Sequence, residues 1–199
     1  MNIVFDLGKV VVQWDPRHLY RKVFAAEEEM EWFLAEVCHG AWNLEQDRGR
    51  SFAEAVQEAT ARHPGYAREI AMYDRRWAEM VPGAIAGTVA IIEELDALGV
   101  PLFAITNWNG DKFRETRARF PVLARFRDIV VSGDEMLLKP DPEIFRLFAQ
   151  RNGVRLADSL FIDDGLKNVK GAEAVGMTAH HFTMPGKLRT VLVEHGILE

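Results

Sequence analysis

The chain has 199 residues, 48% apolar and 27% charged, so it can bury a substantial core and does not have the composition of a disordered protein. Its formal net charge is -6 and its lysines and arginines form no basic stripe, which argues against a nucleic-acid partner. No apolar run is long enough to span a bilayer and the first residues lack a basic-then-apolar leader, so the expectation is a cytoplasmic monomer or homodimer with no membrane partner.

Residues 2 to 7 form a short apolar run ending in Asp6-Leu7-Gly8, the pattern of a buried parallel strand with polar chemistry where it leaves the sheet. Lys9 to Trp14, with three consecutive valines, reads as a second short extended piece. Asp15-Pro16 reads as a helix start. From there to about Met80 the pattern is helical only. Arg17 to Phe24, Glu27 to Val37, Phe52 to Ala61 and Ala67 to Met80 carry apolar residues at helical spacing, punctuated by Gly40, Gly49, Pro64 and Gly65. The single cysteine, Cys38, reads as an unreactive thiol in a helical stretch, and it has no partner for an intramolecular disulfide.

After Val81-Pro82-Gly83 helix and strand alternate. Helix is predicted over 84–98, 111–119, 142–152, 166–175 and 187–195, with strand over 100–106, 128–132, 159–163 and 177–182. Gly99, Gly153 and Gly176 stand where helices stop. This alternation implies an α/β fold, a Rossmann-like parallel sheet with helices on both faces. An all-helical cap over 14–81 is then inserted into a core made of 1–13 and 82–199. A segment that leaves a sheet at its catalytic edge and returns there is expected to cover that edge.

In open parallel sheets ligands bind at the carboxyl ends of the strands. The first strand delivers Asp6 there, and the second delivers Thr106 and Asn107. The third is followed by Lys139, and the fourth delivers Asp163 and Asp164. Neither helix propensity nor core packing requires such a set. The Asp163–Asp164 pair is the hardest to explain structurally, because adjacent like charges disfavour each other unless a cation intervenes. A hard cation such as Mg²⁺, which prefers one or two carboxylates plus water, suits it.

In this order the residues resemble the four signature motifs of the haloacid dehalogenase superfamily. The matching segments are Phe5-Asp6-Leu7-Gly8, Ile105-Thr106-Asn107, Leu138-Lys139-Pro140 and Phe161-Ile162-Asp163-Asp164. The helical insertion resembles the cap that many members carry after the first motif. The resemblance implies Asp6 as covalent nucleophile, Thr106 and the Asn107 amide as holders of phosphoryl oxygens, and Lys139 as the neutralising cation. It implies Mg²⁺ held by Asp6, the Gly8 carbonyl and Asp164, with Asp163 and Asn168 acting directly or through metal-bound water.

One departure matters. Phosphatases of this superfamily usually carry a second Asp two residues after the nucleophile to protonate the leaving group, and Gly8 stands there. Phe5-Asp6-Leu7-Gly8 and Glu45-Gln46-Asp47-Arg48-Gly49 resemble bacterial phosphatases acting on alpha-glucose 1-phosphate, which share the glycine, although Lys9 departs from their usual Asn or Gly. Lys9, Asp15 and His18 are the candidates to supply the missing proton, and Trp14, Trp42, Asn43 and Arg48 to shape the pocket. The expected function is a Mg²⁺-dependent phosphatase acting on a small-molecule phosphate ester. A metal-independent 2-haloacid dehalogenase and a catalytically silent metabolite sensor remain the alternatives.

Overall fold

The computed structural model describes residues 1–199. Five parallel strands, β1 (Asn2–Phe5), β2 (Leu102–Thr106), β3 (Asp128–Val131), β4 (Ser159–Asp163) and β5 (Thr178–His181), form one sheet in the order β3-β2-β1-β4-β5. From the central β1 the chain builds first to one side and then to the other. The switch point therefore falls between β1 and β4, and a ligand crevice is expected at their carboxyl ends.

Eleven α-helices accompany the sheet. Six lie between β1 and β2, the first five being α1 (Arg17–Tyr20), α2 (Glu27–Glu36), α3 (Gly40–Asp47), α4 (Phe52–Arg62) and α5 (Ala67–Arg75). They are followed by α6 (Ala86–Ala97), α7 (Gly110–Arg117), α8 (Ser132–Glu135), α9 (Pro142–Asn152), α10 (Leu166–Ala174) and α11 (Pro185–Glu194). Successive residues of a strand point to opposite faces, and the core divides accordingly. Ile3 and Phe5 of β1 join the apolar cluster that contains Ile92 and Leu95 of α6 and Leu188 and Leu192 of α11. Val4 joins the opposite cluster, with Phe145 and Phe148 of α9 and Ala172 of α10. Helices thus cover both faces of the sheet.

Local chemistry explains several boundaries. Ser51 and Glu54 form a reciprocal capping box at the start of α4. Asp141 accepts from the Glu143 amide, with Pro142 in the first turn of α9, and Gly153 ends that helix at φ 63°. Several stretches differ from the sequence expectation: α1 stops at Tyr20 rather than Phe24, α3 begins at Gly40 rather than breaking there, and α5 ends at Arg75 rather than at Met80. Lys9 to Trp14 is a tight turn rather than a strand: Lys9 has φ 59°, and only isolated bridges, Gly8 to Val12 and Val12 to Ala84, join it to its surroundings. Its valines are buried because they join the large apolar cluster that contains Phe5, Trp77 and Ile92, a tertiary effect that mimics strand periodicity. Cys38 is buried just beyond the end of α2 rather than within a helix.

The helices between β1 and β2 do not form a separate apolar core. Tyr20, Phe33, Tyr73 and Trp77 belong to the same cluster as Phe5, Val11 and Trp108. Polar ties reinforce this. Lys112 of α7, almost fully buried, pairs with Asp74 of α5 at 2.8 Å, and the Arg119 guanidinium donates to the carbonyls of Ala78 (3.0 Å) and Val81 (3.1 Å). No helix is long and apolar enough to cross a membrane.

Candidate active site

The register sets the first elements of the site. Phe5 pairs with Ile162 in the sheet, so Asp6 and Asp163 are the next residues on adjacent strands, and the Asp6 amide donates to the Ile162 carbonyl at 2.7 Å. Asp6 is 8% exposed and Asp163 is fully buried, so two carboxylates stand side by side at the edge of a dry core. The cation that makes this tolerable is Lys139. Its ammonium, itself buried, lies 2.8 Å from Asp6 Oδ1 and 2.6 Å from Asp163 Oδ2.

The two carboxylates are used differently. Asp163 is saturated by protein donors: Lys139, the Gly165 amide at 2.7 Å and the Asn168 side-chain amide at 3.0 and 3.1 Å. Its contacts are those of a residue that orients Lys139 and the turn into α10. Asp6 Oδ1 accepts from Lys139 and from the Leu7 amide at 2.7 Å, while Oδ2 meets no protein donor. Burial pushes Asp6 up to about 7, with Lys139 opposing that shift and Asp163 adding to it. Asp164 is half-buried and makes no ion pair. Burial, then its neighbour Asp163, raises its carboxyl above the usual range.

Carboxylate oxygens of Asp6, Asp163 and Asp164 lie within 4.8 Å of one another. Three acids face one close ammonium, all the donors are oxygen, and the Asp6 Oδ2 and Asp164 oxygens are free of protein cations. That donor set fits a hard divalent ion such as Mg²⁺ and no thiol- or imidazole-preferring metal.

These groups open onto a cavity of about 180 Å³ lined by Asp6, Gly8, Lys9, Trp14, Asn43, Asp47, Trp77, Asn107, Trp108, Lys139, Asp164 and Asn168. Asn107 also braces Lys139, accepting from its amide at 2.9 Å and donating to its carbonyl at 3.1 Å. Thr106 stands one residue earlier, buried at the end of β2, and the cavity wall is formed by its successors Asn107 and Trp108.

Of the proton-donor candidates, Lys9 lines the cavity, with its ammonium 5.5 Å from the Trp14 ring centre. Asp15 instead accepts from the Arg17 amide at 2.9 Å and, like His18, is not on the cavity wall. Trp14 and Asn43 line the cavity. Trp42 packs among Phe52 and Tyr73, and Arg48 is exposed. Asp47, Trp77 and Trp108 were not among the sequence candidates. The Glu45–Gly49 segment was the only signal pointing to Asp47, while the two tryptophans carried none, since indoles serve cores as readily as pockets.

Residues 1–176 match the haloacid dehalogenase-like hydrolase family. The chain belongs to that family. Members and relatives agree with the assignment. A phosphoserine phosphatase of Thermus thermophilus is 32% identical over 136 residues, covering 66% of this chain and 53% of that protein. A glyceraldehyde 3-phosphate phosphatase of Methanopyrus kandleri is 26% identical over 152 residues, covering 67% and 64%. The chain therefore aligns with about half to two thirds of the length of these curated relatives. Among solved structures, a haloacid dehalogenase family enzyme of Bacteroides thetaiotaomicron in complex with magnesium superposes with TM-score 0.74 at 19% identity, over 96% of this chain and 97% of that one. A haloacid dehalogenase-like hydrolase of Porphyromonas gingivalis superposes with TM-score 0.71 at 23% identity, over 100% and 98%. The fold is shared along the whole length.

Proposed function

We propose that this hydrolase is a Mg²⁺-dependent phosphatase acting on a small phosphorylated metabolite through an aspartyl-phosphate on Asp6. One observation carries the reading: Asp6 Oδ2, free of protein donors, opens onto a cavity that also presents the Lys139 ammonium and the unpaired Asp164 carboxylate. Bringing an anionic nucleophile to an anionic phosphate needs cations on both, which this arrangement supplies, whereas attack on a carbon bearing halide does not. Asp6, Asp164 and the Gly8 carbonyl would hold Mg²⁺, which when bound supplies charge neutralisation at the transferring group.

In this reading the Asp6 carboxylate attacks phosphorus through one oxygen and the bond to the leaving oxygen breaks. Water then attacks the aspartyl-phosphate and frees the Asp6 carboxylate. Lys139, fixed by Asp163 and Asn107, holds Asp6 Oδ1 so that Oδ2 faces the substrate. The Asn107 backbone amide, on the cavity wall, would hold a phosphoryl oxygen, while Thr106, buried one residue behind it, would need to open toward the cavity to do the same. A cavity of about 180 Å³ is small beside ordinary ligand pockets of about 300–1,000 Å³. Its small size and its mixture of tryptophan and polar walls suit a compact hydroxylated molecule such as a sugar phosphate. The phosphatase names of the relatives point the same way.

Purified protein should release phosphate from a panel of small phosphate esters with Mg²⁺, and should lose that activity with chelator and in Asp6→Asn. Halide release from 2-chloropropionate that survives chelator would overturn the proposal in favour of a dehalogenase. Ligand-induced stabilisation without turnover of any ester would overturn it in favour of a metabolite sensor.

A further inference from the structure

Asp47 is the last residue of α3, in the helical stretch between β1 and β2, yet it stands on the wall of the cavity that Asp6 opens onto. Core residues hold it there. The Ser132 hydroxyl, just beyond β3, donates to the Asp47 carbonyl at 2.5 Å and accepts from the Trp108 amide at 2.9 Å. The Asn109 side-chain amide donates to the carbonyls of Gln46 (3.2 Å) and Arg50 (3.4 Å). A Cβ on Gly49 would lie 3.1 Å from the Gly133 carbonyl, so this turn rests directly on α8. The Asp47 carboxyl is fixed too. The Asn43 amide nitrogen donates to Oδ2 at 3.0 Å, and the Tyr73 hydroxyl donates to Asn43 Oδ1 at 3.1 Å, which sets the orientation of that amide.

Asp47 is 7% exposed and has no cationic partner, an arrangement that packing alone would not favour. Another lining residue shows what is missing: Gly8, two residues after the nucleophile, has no side chain, and a Cβ there would meet nothing within 4 Å. We infer that Asp47 is the general acid and base of this site, reaching the leaving group from the helical side in place of a side chain at residue 8.

The inference rests on the phosphatase reading above. In the first step the Asp6 oxygen bonds to phosphorus, the bond from phosphorus to the leaving oxygen breaks, and the Asp47 proton passes to that oxygen. In the second, the Asp47 carboxylate takes a proton from water as the water oxygen bonds to phosphorus. The bond from Asp6 to phosphorus breaks, and inorganic phosphate leaves with Asp6 ionised and Asp47 protonated again. A donor and acceptor of this kind works best with an acidity near neutrality. Burial first, and then the Asp6 charge, push Asp47 up to about 7, against a hydrogen bond from the Asn109 backbone and the charge of Lys139. The other titratable groups near it are Tyr73 from α5 and, on the lining of the same cavity, Lys9 and Asp164.

The test compares para-nitrophenyl, phenyl and benzyl phosphate, three esters of similar size whose leaving groups become progressively poorer. First-turnover rates are measured with Mg²⁺ for the native chain and for Asp47→Asn. The native chain should show a shallow dependence on leaving-group acidity. Asp47→Asn should lose about 10²–10³-fold on benzyl phosphate while the para-nitrophenolate burst falls by no more than about 3-fold, since that leaving group needs no proton. Asp47→Asn with Gly8→Asp should recover benzyl phosphate turnover. An equal loss on all three esters, or none, overturns the inference. If the variant does not fold, the native chain still decides, because a steep dependence on leaving-group acidity means that no acid acts. Failure of the native chain on every ester would instead sink the phosphatase reading itself.

Discussion

The Lys139 ammonium lies 2.8 Å from Asp6 Oδ1, with both groups buried, although Asp6 follows β1 directly and Lys139 comes far along the chain, after β3. A buried ion pair contributes little net stability when complete, but is costly to leave half-made. Lys139→Met would strand Asp6 and Asp163 together without their cation. The expected result is a loss of about 3–5 kcal/mol in denaturant unfolding, alongside at least a ~10²-fold fall in phosphoryl transfer. A variant as stable as the native chain would show that the ammonium is replaceable by packing.

Asp164 has no protein cation to lose, so its removal should spare the fold and weaken the ion. Asp164→Asn is expected to unfold within about 1 kcal/mol of the native chain. It should need at least about 10-fold more Mg²⁺ for half-maximal response. Three tryptophans line the cavity, so quenching of intrinsic fluorescence during a Mg²⁺ titration reads the affinity without an activity assay. Unchanged affinity would remove Asp164 from the ligand set.

Gly171 of α10 lies against the residue that follows Lys139. A Cβ there would stand 2.6 Å from Pro140 Cβ and 2.8 Å from the Pro140 carbonyl oxygen, and backbone cannot yield as a flexible side chain can. Gly171→Ala should therefore cost about 1–3 kcal/mol through overpacking, despite the better helix propensity of alanine. It should also lower turnover by displacing Lys139. Thermal unfolding with single-turnover rates on the same preparation checks both, and a stabilised variant would contradict the packing described.

Asp47 predicts a pH-dependent stability of definite sign. In the unfolded chain its carboxyl ionises near the usual 3.8, and in the folded chain near about 7. Between those values the folded state binds the extra proton, so this residue's contribution to stability falls as pH rises through the window, and the full penalty stands above pH 7. Asp47→Asn should accordingly be more stable than the native chain at pH 8, by up to about 4 kcal/mol, and nearly equal to it at pH 4. Melting temperatures at the two pH values check this, and an equal shift at both would rule out the carboxylate as its cause.

Much of the fold was legible from periodicity. Strand β4 and helix α9 have the predicted bounds, because an apolar run between turn residues, or an Asp-Pro start with a glycine stop, acts within a few residues. The Lys9–Trp14 turn is not legible in the same way, because burial by distant elements produces the same apolar run as a strand does. Asp6, Asp163, Asp164 and Lys139 could be ranked as candidates because parallel strands alternating with helices bring their carboxyl ends to one edge.

What the sequence determined by itself was therefore the alternating architecture, the edge where polar residues gather and the family to which the chain belongs, since each depends on local pattern and order. Only the tertiary structure decided that Asp163 is saturated by donors while Asp6 Oδ2 is not, and that Asp47 is carried to the same cavity. Those outcomes depend on hydrogen bonds from Ser132, Asn109 and Lys139 to residues distant in the chain, whose directions follow from how the elements dock rather than from spacing along the chain. Proton affinity follows burial, and burial belongs to the assembled fold.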